Sequence, residues 1–355
     1  MLAAESLERR GSGIARVARL MARVLADEAR EGRLEVQALA LNDHEPARDL
    51  ELPVRTAGGS RLRFVVAVHA AALRCDALLY DFAGMARAHP RLLPRRRPYL
   101  VWTHGIEAWE RARPDHLARL RAADVLVAPS LHTRVRAVAL HAGLDRMQVC
   151  PLATEENDAL PSPTLTFEAT ALVLARLDED GGYKGHRELI ACWPEVVRRV
   201  PNARLVIAGD GPGRGTVAAW VRSSPVAEHI TLRGFVPEAE LSALWQDAWL
   251  LAMPSRGEGF GVVYVEAMRR GVPVIASRHD AASEIVLDGE TGYTVDLAGS
   301  GELVERLVAL LSDRPRARAL GAAGQARWAE QYRYDSFRER FTPLLWSLLR
   351  TVRAA

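Results

Sequence analysis

The sequence predicts an α/β protein of two doubly wound halves, each a parallel sheet with helices packed on it. Three observations carry that prediction. A chain of 355 residues is long enough for two domains of about 150 residues, each with its own core. Short apolar runs alternate with helical stretches along most of the length, and strands that return through helices pair in parallel. Between the two series, residues 153–169 hold Pro161, Pro163, several Ser and Thr and a scatter of acidic side chains, a composition that suits a connection. The expected organisation is a first domain of residues 1–152, a linker of 153–169 and a second domain of 170–331.

Taken in chain order, residues 1–4 are the only stretch available for a first strand before Ser6 and the polar run to Arg10. Either that strand is very short or the natural chain starts further upstream. Gly11-Ser12-Gly13-Ile14 opens an amphipathic helix, with Ile14, Val17, Leu20, Met21, Val24 and Leu25 on one face and Arg16, Arg19 and Arg23 elsewhere. Residues 34–41, 78–80, 99–103 and 125–128 read as strands of the first sheet. After the linker, 171–177, 203–208, 230–232, 249–253 and 272–276 read as strands of a second sheet, Rossmann-like in its alternation with helices. The tail, 332–352, holds Phe337, Phe341, Leu344, Leu345 and Leu348 at helical spacing.

Composition narrows the setting. Charge is nearly balanced, 47 basic against 44 acidic residues for a formal +3, so nucleic acid is not expected as a partner. Cys75, Cys150 and Cys192 are odd in number and widely spaced, which fits neither a disulfide framework nor a zinc site. A reducing cytoplasm is the expected compartment. No apolar run reaches the ~18 residues that span a bilayer, and an amino terminus that is acidic at Glu5 does not read as a signal peptide.

The most informative stretch is Pro254-Ser255-Arg256-Gly257-Glu258-Gly259-Phe260-Gly261, running on to Glu266 and ending at Arg269-Arg270-Gly271. It reads as a strand, a glycine loop and a helix. Proline stops the strand because it has no amide hydrogen for a ladder. Gly257, Gly259 and Gly261 permit backbone angles closed to other residues and a close approach by a ligand. A helix that starts where such a loop ends offers free amide hydrogens and a positive dipole end to an anion, most often phosphate. Glu258 and Glu266 flank that site. Ionised carboxylates accept hydrogen bonds from hydroxyls and would repel a phosphate, so the ligand should carry hydroxyls on either side of its phosphate, as a nucleotide sugar does.

This block resembles the glutamate, seven residues, glutamate signature of the family 4 retaining glycosyltransferases, enzymes of the GT-B fold. The resemblance runs from about residue 11 to residue 295 and is strongest after residue 171. It implies two Rossmann-like domains facing a central cleft, with a tail helix of about 332–355 crossing back onto the first. It also implies that Glu258 lies against the donor sugar, that Glu266 holds the ribose, and that the Gly259-Phe260-Gly261-Val262 backbone faces the diphosphate and sugar. The family often has paired glycines at the opening loop. Ser12 and Ala15 replace two of these, while Gly13 remains as a candidate donor contact.

Other residues extend the expected donor site. Arg176 and Lys184, near the end of the 171–175 run, are two cations able to neutralise a diphosphate whose charge grows as it leaves, and the family uses an arginine and a lysine there. Lys184 is the one lysine among the 47 basic residues. Asp178-Glu179-Asp180 spells a metal-binding D-x-D pattern, set aside because a metal would compete with Arg176 and Lys184 for the same charge and because Asp- and Gly-rich loops are usually solvated turns. Neither metal nor cofactor is expected. Gly209 and Gly211, and Phe235-Val236 after Gly234, stand at strand ends as candidate backbone contacts to base or ribose. Gly209 reads almost as well as a plain turn. In the first domain His104, in Thr103-His104-Gly105, can donate to a hydroxyl or shuttle a proton, and the resemblance places it against the donor sugar. Asp81 and Glu107 are candidates for the acceptor pocket.

The function expected from the sequence is retaining transfer of a sugar from a nucleoside-diphosphate sugar to an acceptor hydroxyl, a hexosyltransferase step in glycan, glycolipid or polysaccharide synthesis. No carboxylate stands convincingly as a nucleophile for the far face, so a same-face route is favoured, in which the leaving phosphate takes the acceptor proton. The acceptor, glycan or lipid, is not legible. The helix after Gly11 and the basic run 91–97 are candidates for peripheral contact with anionic lipid at the inner membrane surface, although a charge run is more often simply solvated. A sugar-nucleotide epimerase of the same fold and a non-catalytic nucleotide-binding protein are the alternatives. A Rossmann dehydrogenase is disfavoured, because Gly11-Ser12-Gly13 lacks the third glycine and a full preceding strand.

Overall fold

A computed structural model describes residues 1–9, 13–91, 97–179, 183–299 and 301–353. The chain divides into two compact units, Met1–Glu156 with Arg333–Ala355, and Asn157–Tyr332. Residues 153–156 of the expected linker therefore belong to the first unit. The remainder belongs to the second, where Leu165 is buried in the core.

Among the described residues the first unit holds seven parallel strands, β1 (Leu2–Ala4), β2 (Ala38–Ala40), β3 (Val54–Thr56), β4 (Leu78–Tyr80), β5 (Tyr99–Trp102), β6 (Val125–Ala128) and β7 (Gln148–Val149), ordered β3-β2-β1-β4-β5-β6-β7. The opening strand, three residues long, is central: it pairs with β2 (Leu2 with Ala38) and with β4 (Leu2 with Leu79). The Met1 ammonium donates to the Ala77 carbonyl oxygen at 2.9 Å. Helices α1 (Gly13–Arg30), α2 (Arg61–Ala72), α3 (Pro114–Ala122) and α4 (Leu131–Leu140) connect the strands.

The apolar face of α1 is spent inside this unit. Val17, Leu20, Met21 and Val24 are at most 1 % exposed, so these apolar side chains are not presented to a membrane. Even Arg19 is buried, its guanidinium shared between Asp49 (2.6 Å) and Glu155 (2.8 Å) while it also donates to the Leu7 carbonyl oxygen. Burial leaves a charge stable only when it is paired and fully hydrogen-bonded in this way.

The second unit holds six described parallel strands, with the helices between them: β8 (Ala169–Leu174), α5 (His186–Arg199), β9 (Ala203–Ala208), α6 (Arg214–Ser223), β10 (Ile230–Gly234), α7 (Glu238–Asp247), β11 (Ala248–Met253), α8 (Val262–Arg269), β12 (Val274–Ser277), α9 (Ala282–Ile285), β13 (Gly292–Val295), α10 (Glu302–Leu311) and α11 (Arg314–Gln331). Their order is β10-β9-β8-β11-β12-β13. The chain thus builds outward in one direction from β8 and then restarts beside it at β11. The equivalent reversal in the first unit lies between β1 and β4. Crevices at the carboxyl ends of strands flanking such a reversal are where open α/β sheets bind ligands. The tail, α12 (Tyr334–Arg353), is part of the first unit. Phe337 and Phe341 stack at 5.4 Å and both approach Trp102 of β5, and the Tyr334 hydroxyl donates to Asp27 of α1.

Three strands went unread in the sequence. β3 and β7 are sheet edges of two or three residues, and β13 starts at Gly292, where a Cβ would meet the Val274 carbonyl oxygen at 2.1 Å. Conversely, of the expected strand 34–41 only Ala38–Ala40 pairs.

At the end of β4, Asp81 is wholly buried. One carboxylate oxygen accepts from the Glu5 amide at 2.8 Å and the other has no hydrogen-bond partner among the described residues. Burial pushes its carboxyl well above the usual carboxylate range. An acid whose folded pKa is raised contributes stability at low pH that is lost as pH rises toward the folded pKa. Asp81→Asn should therefore melt above wild type at pH 8, by roughly 1–3 kcal/mol, with the two converging near pH 4. Denaturation at the two pH values checks this.

Candidate active site

The reversal between β8 and β11 sets side by side the loop that carries Arg176 and Lys184 and the Pro254–Gly261 turn, residues expected at a donor site. The loop after β11 runs from Pro254 to Gly261, which has a φ of +91° and precedes α8. The first amides of α8 have no intrahelical partner by geometry. Tyr264, wholly buried, donates to the Met253 carbonyl oxygen at 2.9 Å and holds the start of α8 against the strand end. Burial, with the nearby Glu258 and Asp280 charges, raises its pKa well above the normal phenol value, so it stays a donor.

Lys184 and Glu258 meet directly. They form an ion pair with side chains only 19 % and 11 % exposed, so the cation expected at the diphosphate and the carboxylate expected at the sugar satisfy each other. The segment carrying Lys184 is pinned to the glycine loop at several further points. The Arg256 amide donates to the Tyr183 carbonyl oxygen at 2.8 Å, the Tyr183 hydroxyl donates to the Gly257 carbonyl oxygen, and Arg256 pairs with Glu188 at 2.8 Å. Gly185 has φ +82°, and a Cβ there would lie 2.6 Å from the Pro254 carbonyl oxygen.

Arg176 is exposed just past β8. Gly209 and Gly211 lie against the loop that carries it. A Cβ on Gly209 would sit 1.8 Å from the Ala175 carbonyl oxygen, and one on Gly211 would sit 2.2 Å from that of Leu177. Their missing side chains let the loop bearing Arg176 dock, which accounts for both glycines without a ligand. Glu266 is half-buried on α8 and Val262 is its first residue. The Phe260 ring is buried edge-on to Tyr332 at 6.2 Å, so that residue can offer a ligand only its backbone. Phe235 is 73 % exposed beyond β10, beside half-buried Val236.

The residue that sequence reasoning missed is Asp280, in the loop after β12. Only 2 % exposed, it accepts from the Gly257 amide (3.2 Å), the Glu258 amide (2.9 Å), the Ser255 hydroxyl (2.9 Å) and the Ala282 amide (2.9 Å). Nothing in a lone Asp more than 20 positions from Gly257 and Glu258 signals that it closes on them.

In the first unit His104 follows β5. Its amide donates to Glu107 at 2.6 Å, and its Nε2 lies 2.8 Å from the Asp81 carbonyl oxygen. A carbonyl only accepts, so Nε2 is the donor in that bond and Nδ1 is the ring nitrogen left outside it. His104, Glu107 and Asp81 are thus one hydrogen-bonded group at the carboxyl ends of β4 and β5. Gly13 opens α1 exposed, with nothing within 4 Å of where a Cβ would be. Gly11, Ser12, Asp180 and residues 92–96 of the basic run lie outside the described residues, and the Arg97 guanidinium donates to the Ala72 carbonyl oxygen at the end of α2. Among the described residues no group of three or more His, Cys, Asp or Glu is disposed to hold a metal ion.

The family described as "Glycosyl transferases group 1" matches residues 165–327. The GDP-mannose-dependent alpha-(1-6)-phosphatidylinositol monomannoside mannosyltransferase of Mycobacterium tuberculosis (strain CDC 1551 / Oshkosh) is 32% identical over 288 residues, 74% of this chain and 74% of that protein. The chain belongs to the group 1 glycosyltransferases. The protein of the same name from Mycolicibacterium smegmatis is 34% identical over 254 residues, 66% of this chain and 65% of the relative. Among solved structures, sucrose-phosphate synthase from Thermosynechococcus elongatus aligns over 99% of both chains with a TM-score of 0.80 at 20% identity. Anabaena HepE in complex with UDP-glucose aligns over 98% of both with a TM-score of 0.75 at 19% identity. These likenesses are of fold, and the fold is GT-B.

For this group 1 glycosyltransferase, the contact of Gly185 with Pro254 yields a prediction. Gly185→Ala should cost about 1–3 kcal/mol of stability through its backbone angle and weaken nucleoside diphosphate binding about 10-fold by lifting Lys184 from the loop. Thermal melting and titration calorimetry check the two effects.

Proposed function

We propose that the enzyme transfers mannose from GDP-mannose, with retention, to a hydroxyl of a phosphatidylinositol-type glycolipid. The observation that carries the donor half is the meeting of Lys184, Glu258 and the start of α8 at the β8/β11 reversal. GDP-mannose and a phosphatidylinositol acceptor are supported by what the M. tuberculosis and M. smegmatis relatives are named for. Those names also favour transfer over epimerisation or simple nucleotide binding.

In this reading the diphosphate draws Lys184 away from Glu258 and lies between it, Arg176 and the Gly259–Val262 backbone at the positive end of α8. Glu258, released, accepts from the sugar hydroxyls. Glu266 accepts from the ribose, and Phe235-Val236 flank the base. His104 serves the donor sugar through its Nδ1. The bond between the anomeric carbon and the β-phosphate oxygen breaks and the acceptor oxygen bonds that carbon on the same face. The acceptor proton passes to the departing phosphate oxygen. Arg176 and Lys184 stabilise the charge that grows on the leaving group, so we propose that no metal is required.

The test is transfer from GDP-mannose to phosphatidylinositol-containing vesicles in excess chelator, with Glu258→Gln beside wild type. Transfer should persist in chelator. The variant should transfer at least ~10-fold more slowly, for loss of a charged hydrogen bond to the sugar. It should also bind free GDP several-fold more tightly, because Lys184 no longer has to leave a carboxylate. GDP binding that is unchanged or weaker in the variant would overturn the exchange of partners.

The same reading asks how a lipid acceptor is met, and α2 supplies the surface. Phe64, Val68 and Ala72 face the core, but Leu62, Val65, Val66 and Leu73 are 75, 37, 58 and 63 % exposed. They recur at helical spacing among Arg61, Arg63 and Arg74, with no acidic residue between Glu51 and Asp76. An apolar stripe edged only by cations suits an anionic lipid interface. Among the described residues no helix is long and apolar enough to cross a membrane, so the proposed contact is peripheral. Leu62→Asp with Val66→Asp should lower sedimentation with phosphatidylinositol vesicles about 10-fold and leave the melting temperature unchanged.

A further inference from the structure

Asp280 does more than fill a loop. Its four donors are all N–H or O–H groups, and among the described residues no cation pairs with it. The consecutive amides of Gly257 and Glu258 converge on one oxygen, forming an anion-binding nest whose anion belongs to the protein itself. Those two amides are therefore unavailable to a phosphate. Glu258 stands between Gly257 and Gly259, so glycine on both sides leaves its backbone free to turn. The hydrogen bonds to Asp280 remove that freedom on one side. The Ala281 amide returns a bond to the Glu258 carbonyl oxygen at 3.3 Å. The Glu258 carboxylate thus takes its direction from a residue on the neighbouring strand's loop, whereas Lys184 is held by Tyr183, Gly185 and Pro254.

We propose that Asp280 is the positioning residue for donor-sugar recognition: it fixes the Glu258 backbone so that its carboxylate meets the sugar hydroxyls, and it contributes nothing to holding the nucleotide. The proposal rests on the donor-site reading above. A carboxylate is required because it only accepts. Asparagine must turn its amide hydrogens toward either the Gly257 and Glu258 amides or the Ala282 amide, and in each case donor faces donor. Glutamate keeps the acceptors one methylene further out.

The test is calorimetric titration of wild type, Asp280→Asn and Asp280→Glu with GDP and with GDP-mannose, alongside the rate of GDP-mannose turnover. For Asp280→Asn we expect GDP affinity within about 2-fold of wild type, GDP-mannose affinity weakened about 10-fold and turnover down about 30-fold, with partial recovery in Asp280→Glu. Ser255→Ala, which removes one donor and leaves the carboxylate, should show a smaller loss of the same kind and serves if Asp280→Asn does not fold. Equal weakening of GDP and GDP-mannose, or wild-type sugar affinity and turnover in Asp280→Asn, would overturn the proposal. Failure of wild type to bind either compound would instead remove the donor-site reading.

Discussion

The constraint on which this molecule rests is the reversal of strand order in each sheet. A parallel sheet grows by right-handed crossovers, so a chain that builds one way from its first strand and then the other must leave a gap between the connections at the point of return. In the second unit that gap opens above β8 and β11. The loops leaving those strands carry Arg176 and Lys184 on one side and the Pro254–Gly261 turn on the other. Charge of both signs meets there because topology leaves no helix to cover the gap.

Burial then decides how the charges are held. Arg19, Lys184 and Asp280 are each largely removed from water, and each is answered differently: by two carboxylates, by one carboxylate, and by neutral donors alone. The first arrangement has no spare valence and is structural. The second can exchange partners. The third holds a backbone still. Asp81 and Asp43, both buried, each have one carboxylate oxygen with no hydrogen-bond partner among the described residues.

Much of this was legible in the sequence where the signal is local. The apolar runs at 78–80 and 125–128 coincide with strands because buried parallel strands are continuously apolar. The glycine loop and the helix after it could be read because proline, glycine and an apolar helix face occur in succession. What escaped was set by distance or by edges. β3 and β7 are short and lie at sheet margins, where little burial is demanded of them. The significance of Gly209 and Gly211 depended on the backbone of residues 175–177 lying against them. Asp280 could not be found at all, since its role is defined by amides more than 20 residues earlier. The pairing of Lys184 with Glu258 had the same character, with each residue recognised alone.

The arginine-rich composition has a practical consequence. Lys184 is the sole side-chain amine of the chain. A lysine-directed label therefore has one side-chain address, and that address is engaged with Glu258. Labelling at that amine reports whether the pair with Glu258 is open, and a lysine-specific protease has one bond to find, between Lys184 and Gly185.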